Sequence, residues 1–165
     1  MTQRLLISDA NILIDMEKGG ITRQMFQLDA VFAVPDMLYE EELRADHPGL
    51  PALGLQSLEL SAKTVAHAGT LIAKHSHTGA SINDLLALAL AWQEKTALLT
   101  GDGKLRIVAS AEKIPFYGTL WLVEQLVHAK ILTVEEAAAA YESMKKARRR
   151  LPWDEVGRQL RNLGK

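Results

Sequence analysis

Four acidic positions could do chemistry together: Asp9, the Glu40–Glu42 run, Asp84 and Asp102. Carboxylates held a few ångströms apart raise one another's pKa, so a cluster of them without cations is costly. A divalent ion removes that cost, and an all-oxygen ligand set selects Mg2+ or Mn2+. Such an ion polarises a phosphoryl oxygen, activates water and stabilises a leaving oxygen. The chain has no cysteine, so no thiolate can contribute to a metal site. The acids point to phosphodiester hydrolysis through one or two metal ions.

Each acid also has a structural reading. Asp9 can cap a helix that begins at Ala10, and Asp102, between Gly101 and Gly103, can serve a turn. Asp84 stands three residues after Ser81, where a carboxylate favours the helix dipole and can return a hydrogen bond to the cap. Three consecutive glutamates sweep about 200° of a helical wheel, so at least one turns toward the buried side set by Leu38 and Leu43. Glu41 and Glu42 are the candidates for that place, ahead of Glu40.

Positioning these side chains calls for particular elements. Short β-like runs cover 4–8, 31–34, 57–60, 97–100 and 114–117. Helical segments cover about 10–18, 21–28, 35–45, 64–77, 81–95 and 103–112, then 118–129, 133–147 and 152–163. Alternating strand and helix predict a three-layer α/β/α sandwich around a parallel sheet of about five strands, with extra C-terminal helices. In the order 3-2-1-4-5, strands 1 and 4 are neighbours, and Asp9 and Asp102 face one another across the crevice beyond their C-terminal ends. Leu85 to Trp92 carries no charge, so that helix is expected to be buried nearly all round. Thr133 with Glu136 predicts a capping box.

The bulk numbers fit one ordinary domain over residues 1–165, with 48% apolar and 24% charged residues. No window reaches the apolar length of a membrane span, and the N-terminus lacks the pattern of a secretory signal; a cytoplasmic protein is expected. A net charge of −1 gives no global affinity for nucleic acid. The basic charge is concentrated in Lys145, Lys146, Arg148, Arg149 and Arg150. That block reads as a solvated helix end, or as a contact with RNA phosphate or a partner.

ISDANILID around Asp9, VPDMLYEEEL around the glutamates, SINDLLALALA around Asp84 and LLTGDGKLR around Asp102 together resemble the PIN-domain ribonucleases, which include VapC-type toxins of toxin–antitoxin pairs. FYGTLWLVEQLV followed by ILTVEEA is similar to the C-terminal end of one PIN subgroup, so the resemblance covers nearly the whole chain. It implies a divalent-metal-dependent endoribonuclease using Mg2+ or Mn2+. Asp9, Asp84 and Asp102 would be metal ligands or direct supports of the metal-bound water. Asn11 and Thr100 match positions that orient the site. The glutamate run is one residue longer than the family pattern: counting from Pro35 selects Glu41, counting back from Leu43 selects Glu42. Lys104 and Arg106 could contact an RNA phosphate. An antitoxin protein and a homodimer built on the C-terminal helices are the partners this reading allows.

Other acidic α/β designs fit less well. A haloacid-dehalogenase-type phosphatase needs a second aspartate where Asn11 stands, and a phospho-receiver needs one ending strand 3, where the chain has Leu60-Ser61. The stronger rival is a PIN fold that acts as a binding module. His75 and His77, two apart on a helix, do not share a face and make a poor metal pair. His47, His67 and His128 show no partners in the sequence.

Overall fold

A computed structural model describes residues 3–165. Five parallel strands form one sheet in the order β3-β2-β1-β4-β5, as expected. They are β1 (Arg4–Ser8), β2 (Ala30–Pro35), β3 (Gln56–Leu58), β4 (Leu98–Leu99) and β5 (Phe116–Tyr117). Leu6, Ile7, Phe32, Ala33, Val34, Leu98 and Leu99 are all fully buried. Strands covered on both faces read as continuous apolar runs, which is why the central ones stand out in the sequence.

The helices are α1 (Ala10–Lys18), α2 (Thr22–Met25), α3 (Asp36–Leu38), α4 (Leu50–Leu53), α5 (Ala62–His75), α6 (Ile82–Glu94), α7 (Gly103–Ala111), α8 (Thr119–His128), α9 (Val134–Lys146) and α10 (Trp153–Leu163). The chain steps outward from β1 to β3, then leaves in the opposite direction through β4 to β5. Right-handed crossovers therefore place helices on both faces. α1 packs with α8 and α9, while α5, α6 and α7 form a second group. α6 lies on β1, β2 and β4, and Ala87 through Ala91 have no more than trace exposure, so it is buried as its uncharged sequence predicts.

Several boundaries differ from expectation for local reasons. The helix expected over 21–28 is the single turn α2, because Ala30 N–H donates to Leu28 O at 2.8 Å in a tight turn that starts β2. α4 is an additional short helix, hidden in the sequence by Pro51 and the flanking Gly49 and Gly54. Ile114 does not join β5; its N–H closes the end of α7 on Ala109 O at 2.9 Å. At the end of α1, a Cβ on Gly19 would lie 2.6 Å from Met144 Cε, so glycine permits the close approach of α9. Tyr141 donates to Gln159 Oε1 at 2.6 Å, and Gln159 Nε2 donates to Leu120 O at 2.7 Å, which ties α10 to α8 and α9.

Candidate active site

The strand order reverses between β1 and β4, and Ser8 pairs with Leu99 at the C-terminal ends of both. Asp9 extends that ladder, its N–H donating to Leu99 O at 3.0 Å. Its side chain caps α1: Oδ1 accepts from Ile12 N–H at 2.9 Å, while Thr100 Oγ1 donates to Oδ2 at 2.6 Å. Asp9 is completely buried. That burial raises its pKa to about 7, against the two hydrogen bonds that lower it, and the charges of Asp84 and Asp15 raise it further.

Thr100 links two of the acids. The hydroxyl that donates to Asp9 also accepts from Asp102 N–H at 3.1 Å. Asp102 in turn caps α7, accepting from Lys104 N–H at 2.9 Å. Asp84 occupies the third position of α6 and forms a complete capping box with Ser81, at 3.1 and 3.3 Å. Its pKa is raised, first by burial. The charge of Asp102 adds to the rise. The structural readings of Asp9 and Asp84 are thus correct, whereas Asp102 is the N-cap of α7 rather than a turn residue. Capping fixes the direction of each carboxylate, and charge coupling through Asp84 shows that they lie near one another.

The glutamates sit on a π-helical turn, Tyr39–Leu43, that continues α3. Arg44 N–H donates to Tyr39 O at 2.8 Å, a five-residue step that absorbs the extra residue of the run. Glu40 points outward to an exposed ion pair with Arg44. Glu41 accepts from Asn83 Nδ2 at 2.9 Å. Glu42 has a raised pKa, from burial and then from the charge of Asp84, partly offset by the Asn83 amide. Asp84 is therefore the hub, coupled to Asp9, Glu42 and Asp102.

A family model described as a PIN domain matches residues 5–165. The chain belongs to the PIN-domain family. The fold is of nuclease type, and PIN domains typically use divalent metals. No curated protein matches the sequence.

Among the described residues, no three His, Asp or Glu side chains stand close enough to form a ready ligand cage. The PIN acids are near enough to raise one another's pKa, yet their mutual repulsion opposes a tighter grouping. Asn83 Oδ1 is buried beside them without a hydrogen-bond partner. Excess negative charge, all-oxygen donors and an orphaned carbonyl oxygen suit a hard divalent cation.

The other side of the crevice is basic, which the sequence hints at only in part. Arg149 Nε donates to Asp15 Oδ1 at 2.6 Å, and Thr119 Oγ1 donates to Asp15 Oδ2 at 2.7 Å. Arg149 Nη2 reaches Asn11 O and Oδ1, both at 3.3 Å. Asn11 thus fixes the arginine block, and Thr100 is the residue that spans the acids. Lys104 is exposed, with its side chain against Gly79. Arg106 is half-buried over the Phe116 ring, with Nε donating to Thr100 O at 2.9 Å.

The histidines are engaged elsewhere. Glu112 accepts from His75 Nε2 and from Lys74 Nζ, each at 2.9 Å, and both partners lower its pKa. His67 stacks on Trp92, and His47 pairs with Glu17, partners that the sequence had not revealed. A cavity of about 780 Å³ lies at the opposite pole, near Lys95 and Lys113. Helices α6 and α7 end there, and these lysines complement their negative C-termini. No helix in the described residues is long and apolar enough to cross a membrane.

Proposed function

We propose that this PIN domain is a divalent-metal-dependent endoribonuclease that hydrolyses RNA phosphodiester bonds. The observation that carries the reading is the gathering of Asp9, Glu42 and Asp102 around Asp84 at the strand-order reversal of a nuclease-type fold. Asp9, Asp84, Asp102 and Glu42 would hold Mg2+ or Mn2+, which when bound polarises the scissile phosphoryl group and makes water a better nucleophile. Glu42 is preferred over Glu41 because Asp84 couples to Glu42, whereas the Glu41 carboxylate accepts from Asn83. Thr100 keeps the Asp9 carboxylate and the Asp102 backbone in fixed relation. Lys104 offers a cation to a neighbouring phosphate. Arg106 offers only its remaining guanidinium nitrogens.

Purified protein with Mn2+ is expected to cleave single-stranded RNA. Asp9→Asn and Asp102→Asn should each cost more than the roughly 10–100-fold typical of residues that only orient a ligand. Both substitutions keep an N-capping side chain, so circular dichroism should show an intact fold. Wild-type protein that cleaved no RNA while binding a protein partner tightly would favour a binding module instead. The reading extends to the toxin of a toxin–antitoxin pair, tested by whether a small DNA-binding protein is encoded just upstream and blocks cleavage.

A further inference from the structure

Arg148, Arg149 and Arg150 follow α9 without a break, and the turn that carries them is specific. Arg148 adopts a left-handed conformation (φ 61°), unusual for a residue with a side chain, and Arg149 N–H returns to Met144 O at 3.0 Å. The two flanking arginines are exposed, while the middle one is half-buried and locked to Asp15 and Asn11. Asp15 is itself buried and held by Thr119. Arg149 is thus anchored inward directly after the left-handed residue that ends α9.

The anchor sets where its neighbours stand. All three arginines line one cavity of about 410 Å³ together with Asn11, Gly101, Asp102 and Gly103. Among the described residues, neither Arg148 nor Arg150 has an acidic partner within 4 Å. Two unpaired guanidinium groups beside Asp102 contribute nothing to the fold's ion pairs. Planar guanidinium groups are well suited to phosphate oxygens. Glycines on the opposite wall leave backbone open to an approaching chain.

We infer that Arg148 and Arg150 are positioning residues that grip the RNA backbone phosphate next to the scissile one, with Arg149 as the structural pin that presents them. The inference rests on the ribonuclease reading of the same crevice. It explains how a chain of net charge −1 engages RNA: attraction is local, at the edge of an acidic site that repels phosphate until its cation is bound.

The test uses the full chain and a single-stranded RNA oligonucleotide of mixed sequence, with binding measured in EDTA over a salt series. Arg148→Asn keeps the left-handed turn, and Arg150→Gln removes the charge while leaving an unbranched polar side chain. Their combination should weaken binding and lower the slope of log K against log salt by about 0.7, the value for one single-strand phosphate no longer neutralised. With Mn2+, KM for RNA should rise while kcat at saturating RNA stays within about twofold, as expected when binding common to ground and transition states is removed. Lys113→Asn at the opposite pole should change neither, and the Arg148→Lys, Arg150→Lys pair should recover most of the salt slope. An unchanged slope and KM in the double variant, with wild type cleaving normally, would overturn the inference and leave the nuclease reading standing. Wild type that bound RNA with this arginine-dependent slope but never cleaved it would instead refute the nuclease reading alone. Wild type that bound no RNA would overturn both.

Discussion

At the residue scale, the acids of this site have two duties each. Asp9, Asp84 and Asp102 cap helices, and the caps hold their carboxylates in fixed directions. Capping and chemistry are not rival explanations here, because a cap fixes a carboxylate's direction more firmly than an exposed position could. The glutamates are separated by a finer distinction. Glu42→Gln is expected to lower Mn2+-dependent cleavage by at least about tenfold and Glu41→Gln by less than about twofold, consistent with a ligand and a neighbour held by Asn83. Steady-state cleavage rates of the two variants decide it; equal losses would mean that both carboxylates serve.

At the element scale, the π-helical turn and the arginine turn each solve a local problem. The π turn lets the helix keep Leu38 and Leu43 buried despite an inserted residue. That is why counting from Pro35 and counting from Leu43 lead to different glutamates. The arginine turn fastens α9 to α1. Arg149→Ala should leave Asp15 buried without its cation and cost about 3 kcal/mol in chemical denaturation, at the lower end for a broken buried pair because Arg149 is partly exposed. Adding Asp15→Asn should recover most of that loss. The caps at Ser81 and Thr133 and the buried character of α6 were legible in the sequence, because they depend on neighbouring residues, whereas the strand order, which pairs β1 with the distant β4, followed the resemblance to the PIN family. The Asp15–Arg149 pair was not legible, since 134 positions separate its members and nothing local marks Asp15 as buried. Asn83 was missed for a similar reason: it lies beside Asp84 on α6, but its partner Glu41 comes from another element.

At the scale of the whole molecule, the acidic crevice makes stability depend on pH. Asp9 titrates at about 7 in the folded state against an ordinary 3.8, and Glu42 and Asp84 shift in the same direction. Protons therefore favour the folded form. In EDTA, the unfolding free energy should be highest below about pH 4 as far as Asp9 is concerned, and should fall by up to about 4 kcal/mol as pH rises through 7. Mn2+ at about a hundredfold its Kd should restore about 2.7 kcal/mol at pH 8 and less at pH 5, where protons occupy the acids. Denaturant titrations at both pH values, with and without Mn2+, check this. Stability that rose across the window in EDTA would show the acids to be compensated already.

The pin between Asp15 and Arg149 also sets a schedule. A growing chain presents Asp9, Asp84 and Asp102 before Arg148 exists, and the 46 positions from Asp102 to Arg148 take roughly 2–9 s to synthesise. For that interval the chain has its carboxylates and none of Arg148, Arg149 and Arg150. Limited proteolysis of ribosome-stalled chains of graded length should show α1 becoming protected only after Arg149 has left the exit tunnel. On this expectation a turn made late in synthesis, just ahead of α10, decides when the first helix is secured.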